Sequence, residues 1–83
     1  MSTPRLVLYG RAECHLCDDM KAVVEAVRRE LPFALEVVDV DRDPALVEMY
    51  GLEVPVLTID GRKAFKYRVD TEELRRRVRR ASA

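Results

Sequence analysis

Leu6, Val7, Leu8 and Tyr9 form an unbroken apolar run ended by Gly10, the pattern of a short strand buried on both faces. From His15 to Leu31 the spacing changes. Leu16, Met20, Val23, Val24 and Val27 recur at three and four residues with charges between them, which predicts an amphipathic helix stopped by Pro32. "FALEVVDVD" returns to a strand pattern, with Val37, Val38 and Val40 suggesting a second central strand. Asp43 and Pro44 then read as N-cap and first position of a short helix ending near Gly51. Two β-type runs in "VPVLTIDGRKAFKY" flank Asp60-Gly61, a dipeptide favoured in two-residue hairpins, so strands three and four should pair antiparallel. In "DTEELRRRVRRASA", Asp70 and Glu73 have capping-box spacing, and Leu74 and Val78 make a narrow apolar stripe. The order is βαβαββα, in which strand, helix, strand implies a parallel first pair.

Eighty-three residues suit one domain, 1–83, with a small core. At 48% hydrophobic and 36% charged, the composition is that of a globular protein rather than a disordered one. No apolar run approaches the roughly 20 residues of a membrane span, and the N-terminus lacks a signal-peptide pattern, so no membrane partner and a cytoplasmic location are expected. Net charge is zero but segregated: 6 basic and 12 acidic residues up to Asp60, then 9 basic and 3 acidic from Gly61 onward. The arginines of the last helix mostly face water on this reading. Without an aromatic platform or an overall positive charge, no nucleic-acid partner is expected.

The only two cysteines, Cys14 and Cys17, lie in "AECHLCDDM". In a reducing compartment such a pair reads as redox-active or metal-bound rather than as a permanent staple. Cys14 stands where a loop enters the first helix, facing unpaired backbone N–H groups and the positive end of the helix dipole. That placement lowers a cysteine pKa from about 8.5 into the range of roughly 3.5 to 7.5, and the thiolate is the form that attacks disulfides. A second thiol one turn on can resolve the mixed disulfide. Glu13, Asp18 and Asp19 oppose the effect weakly, because exposed charges are screened. A zinc site within one chain is disfavoured, since two cysteines and His15 fall short of four ligands, and no metal ligand is assigned. A metal or iron-sulfur cluster shared between two chains, or an adaptor with incidental cysteines, remains an alternative.

"YGRAECHLC" resembles the Tyr-Ser-Lys and Cys-Pro-Tyr-Cys segment of glutaredoxins, and "EVPVL" resembles the Thr-Val-Pro segment of the same thioredoxin-like fold. The resemblance covers nearly the whole chain. It implies an α/β thioredoxin-like (glutaredoxin-type) fold with a four-stranded mixed sheet flanked by helices, and a small thiol-disulfide oxidoreductase. Cys14 would be the nucleophile and Cys17 the resolving thiol. Pro55 would be a cis-proline, leaving the Val54 backbone free to pair with a bound substrate as an added strand. Arg11 would assist the thiolate or an anionic thiol.

His15-Leu16 replaces the family's Pro-Tyr, and Tyr67, Arg68, Val69 and Asp70 stand where glutaredoxins carry Gly-Gly and Asp-Asp features that hold glutathione. Glu72 and Glu73 would oppose a glutathione carboxylate there, whereas Arg68 and Arg11 would favour it. Fold and thiol chemistry therefore carry over further than glutathione specificity. Expected partners are a disulfide-containing protein or small thiol, with glutathione or a thioredoxin-reductase-type protein as reductant and no bound cofactor. His15 is a candidate for tuning the couple through the Cys14 thiolate.

Overall fold

The computed structural model describes residues 3–83, and its elements follow the order read from the sequence: β1 (Arg5–Gly10), α1 (His15–Arg28), β2 (Ala34–Asp39), α2 (Pro44–Tyr50), β3 (Val56–Ile59), β4 (Arg62–Lys66) and α3 (Thr71–Ser82). The strands form one mixed sheet in the order β2-β1-β3-β4. β1 runs parallel to β2 and antiparallel to β3, and β3 runs antiparallel to β4.

Strand alternation sorts the side chains into two layers. Leu6 pairs across from Ile59 and Leu8 from Leu57, and this face meets Met20, Val24 and Val27 of α1 and Leu74 and Val78 of α3. All of these are buried, which places the core between the sheet and the α1/α3 layer. On the opposite face Tyr9 stacks on Tyr50 of α2 at a centroid distance of 4.5 Å. No residue of α2 is buried, and only Leu46 and Tyr50 are half-buried.

Caps explain where the helices start and stop. Asp43 Oδ1 accepts the Ala45 N–H at 2.9 Å ahead of Pro44, and Asp70 Oδ2 accepts the Glu73 N–H at 2.9 Å at the head of α3. The reciprocal half of the capping box at Asp70 is not made, because the Glu73 carboxylate turns to Arg76. α1 ends at Arg28 rather than Leu31. The N–H groups of Glu30 and Leu31 both bond the Val27 carbonyl, closing the helix before Pro32, whose ring disfavours helical geometry in the residue ahead of it.

β2 is an edge strand, not a second central one. Val37 is 51% exposed, and the fully buried Val40 belongs to a 3₁₀ turn after the strand (Val40–Arg42). The run of valines therefore covers one edge of the sheet rather than filling its centre. The arginines of α3 mostly face water, with Arg76, Arg79 and Arg80 exposed, but Arg75 forks onto Glu30 through two hydrogen bonds of 3.0 and 2.8 Å, tying α3 to the end of α1. At the β3-β4 hairpin, Asp60 and Gly61 both take positive φ (50° and 85°), as a two-residue turn of this kind requires.

Candidate functional site

Cys14 is the N-cap of α1, in extended conformation, after Glu13 turns the chain through a left-handed φ of 56°. An N-cap side chain accepts one of the helix's unpaired N–H groups, a position usually held by Ser, Thr, Asp or Asn. Here sulfur does so: the Cys17 N–H donates to Cys14 Sγ at 3.1 Å, while the Asp18 N–H bonds the Cys14 carbonyl. The same donor, added to the dipole of a four-turn helix, favours negative charge on Cys14 sulfur.

Cys14 and Cys17 are joined in a disulfide with Cα atoms 5.2 Å apart, inside the ordinary range for such a bond. The two sulfurs are unequal in access. Cys14 is half-buried, whereas Cys17 is 8% exposed and packs on the end of β1. A Cβ at Gly10 would lie 3.1 Å from Cys17 Sγ, so the glycine is what lets the sulfur approach the strand.

The Val54-Pro55 peptide bond is cis. Tyr9 pairs with Val56 in the β1-β3 register, so one step further along each strand Pro55 lies across from Gly10, at the same end of the sheet as the cysteines. Among the described residues Val54 makes no backbone hydrogen bond, while the Pro55 carbonyl accepts the Tyr67 N–H at 2.8 Å. An unpaired peptide therefore sits beside the disulfide end of the sheet.

The remaining candidates are placed less centrally. The Arg11 guanidinium turns to Asp41, with Nη2 3.3 Å from Oδ1, and its Nε is buried without a partner. Arg11 and Cys17 line a cavity of about 210 Å³ behind the disulfide, together with Lys21, Val37 and Asp39. His15 is the first residue of α1 and is exposed. Arg68 is exposed, makes no ion pair among the described residues, and lines a recess with Leu16. No group of three His, Cys, Asp or Glu side chains is placed to hold a metal ion among the described residues, and no helix is long and apolar enough to cross a membrane.

Leu52 carries no sequence signal that marks it, and Tyr67 is marked only as one of the residues that replace the family's Gly-Gly and Asp-Asp features. Tyr67 adopts a left-handed φ of 66°, which costs a side-chain-bearing residue roughly 1–2 kcal/mol. Two bonds hold it there, the one from its N–H to Pro55 and one from its hydroxyl to the Leu52 carbonyl at 3.2 Å. Leu52 itself is 95% exposed. The departure from the family pattern flags the segment, but the positive φ and the bonds that hold it are not legible in a Lys-Tyr-Arg triplet.

Comparison with known proteins agrees with this geometry. The glutaredoxin-like domain family (DUF836) matches residues 5–79. An uncharacterized protein of Mycobacterium tuberculosis is 31% identical over 99% of this chain and 90% of its own length. Among solved structures, a structural-genomics target protein from X. campestris is 37% identical with a TM-score of 0.76, over 90% of this chain and 96% of that one. A mutant thioredoxin from Halobacterium salinarum is 25% identical with a TM-score of 0.71, over 99% of this chain and 77% of that one. The architecture is thus a thioredoxin-like α/β fold with its cysteine pair at the head of the first helix.

Proposed function

Because the chain belongs to the glutaredoxin-like domain family, we propose that it is a small thiol-disulfide oxidoreductase in which Cys14 attacks and Cys17 resolves. The observation that carries this reading is the Cys14–Cys17 bond at the head of α1, with the outer sulfur more accessible and already receiving a backbone N–H. In the reduced form, the Cys14 thiolate attacks one sulfur of a substrate disulfide. That S–S bond breaks, a mixed disulfide forms on Cys14, and the leaving thiolate takes up a proton. Cys17, having lost its proton, then attacks Cys14 Sγ and expels the second substrate thiolate. The protein loses two electrons and two protons from its thiols, and the substrate disulfide becomes two thiols.

Val54 and Pro55 position the substrate in this reading, because an extended chain bearing a disulfide pairs with the open Val54 peptide. Arg11 acts at a distance, its charge shared with Asp41, and Arg68 stands at the substrate side. His15, at the first position of α1, contributes to the balance between thiolate and disulfide. The substrate is a protein or small-molecule disulfide, no resident cofactor is required, and the cytoplasm is the compartment this chemistry suits.

Two measurements test the proposal. Mass spectrometry of the protein before and after a dithiol reductant should register a reversible difference of two hydrogens. The reduced protein should then turn over bis(2-hydroxyethyl) disulfide. Supplying electrons through glutathione or through a thioredoxin reductase separates the two reductants. A pair that never oxidises, or a reduced pair that passes electrons to no disulfide, would overturn the reading in favour of an adaptor or a metal-binding module.

A further inference from the structure

Beside the disulfide, a recess of about 150 Å³ opens between α1 and the segment leading into α3. Its walls are Leu16, Met20, Val23, Val69 and the Tyr67 side chain. Leu16 lies between the two cysteines in the chain, and the Tyr67 N–H is bonded to the Pro55 carbonyl, so the recess is walled on one side by a neighbour of the cysteines and on the other by a neighbour of the cis-proline. From the proposed function, on which this argument rests, we infer that the recess is a side-chain pocket for protein substrates, taking one aliphatic residue within two positions of the reacting cysteine.

Three observations select that occupant over the carboxylate of a small thiol. The lining is mostly apolar or aromatic, and its two charged residues, Asp19 and Arg68, are of opposite sign, so it offers no net charge to an anion. The N-terminus of α3 next to it already has its own anion: Asp70 caps the Glu73 N–H, and Glu72 and Glu73 fill the first turn. A free carboxylate would find that end occupied and negative. One wall of the recess, Tyr67, is also bonded to Pro55 next to the open Val54 peptide, and strand-adding ligands take their specificity from side-chain pockets beside the paired backbone. A volume of 150 Å³ suits one Leu, Ile or Met side chain and is far too small for a folded surface.

Tyr67 is the specificity-determining wall in this arrangement. Its backbone strain, and its two anchors on the Leu52–Pro55 segment, fix a ring where glycine would leave the recess open. Leu52, whose carbonyl accepts the Tyr67 hydroxyl, is also an exposed large apolar side chain.

The test uses symmetric disulfides of a capped five-residue peptide with central Cys in a Gly-Ser background, carrying a single Leu at each of the four flanking positions in turn. With the wild-type protein, one of the four should raise kcat/KM over the all Gly-Ser peptide by on the order of tenfold, as expected for filling an apolar pocket. Tyr67→Gly and Leu16→Ala should each bring that ratio towards one. The ratio is internal to each variant, so a general loss of activity does not imitate the effect. A wild-type ratio near one at all four positions, or an undiminished ratio in both variants, overturns the pocket while leaving the oxidoreductase reading intact. Failure to reduce bis(2-hydroxyethyl) disulfide as well overturns both.

Discussion

Replacing Gly10 by Ala probes the packing that holds Cys17, the proposed resolving cysteine. The new methyl would sit 3.1 Å from Cys17 Sγ and 3.2 Å from Cys17 Cβ, against 3.4–4 Å for ordinary contact, so one side must give by a few tenths of an ångström. Gly10 is the last residue of β1, held on one side by β2, and Cys17 is buried in the first turn of α1. Neither neighbour is a flexible chain end, and overpacking of this kind costs about 1–3 kcal/mol. For a domain of this size each kcal/mol moves Tm by about 4–8 °C. The oxidised Gly10→Ala protein should therefore melt roughly 5–20 °C lower. Cys17 should also reach Cys14 less readily, which slows release of substrate from the mixed disulfide in stopped-flow single-turnover experiments. Gly61→Ala is the control. Its φ of 85° penalises a side chain, yet nothing lies within 4 Å of the added methyl. It should cost about 1–2 kcal/mol and leave the resolving step unchanged. Equal resolution rates in Gly10→Ala and wild type, with stability altered by less than about 0.5 kcal/mol, would refute the claim that Gly10 exists to admit Cys17.

Other expectations follow from caps and charges. Asp70→Ala removes the acceptor for the Glu73 N–H and should destabilise the fold by about 1 kcal/mol in denaturant titration, whereas Glu73→Gln, whose side chain caps nothing, should cost much less. Glu30 is held below its ordinary value of 4.5 by the Arg75 hydrogen bond, and Glu53 below the same value by that of Lys63. Since their folded values lie below the unfolded ones, their support is present above about pH 4.5 and fades as pH falls through the folded values. Denaturation midpoints measured from pH 6 down to pH 3 should drop, and Glu30→Gln should flatten part of that drop; an unaltered slope would remove Glu30 from the account.

How much was legible in the sequence depends on how far each feature reaches. β1, the Asp60-Gly61 hairpin and the Asp70 cap are local, written in a few neighbouring residues, and the structure keeps them. β2 was misplaced because a valine-rich run looks the same in a central strand and in an edge strand whose outer valines face solvent. The end of α1 was overextended because Leu31 continues the apolar spacing that Pro32 cuts short. The spacing of Cys14 and Cys17 is by itself a weak signal; what places the pair at a loop-to-helix junction is the strand before it, read together with Pro55 and the strand order. The cis state at Pro55 came through family resemblance alone, since nothing local separates it from a trans proline. Tyr67 is legible only as a departure from the family pattern, because its anchors at Leu52 and Pro55 lie more than ten residues away.

The central claim is that Cys14 is the attacking sulfur and Cys17 the one that releases the product. Reduced Cys17→Ser and Cys14→Ser proteins, each incubated with a peptide disulfide and analysed by intact-mass and fragment spectrometry, test it directly. The account requires a persistent mixed disulfide on Cys14 in Cys17→Ser, and little or no adduct on the buried Cys17 in Cys14→Ser. Adducts on neither protein, or faster capture by Cys17 than by Cys14, would contradict it.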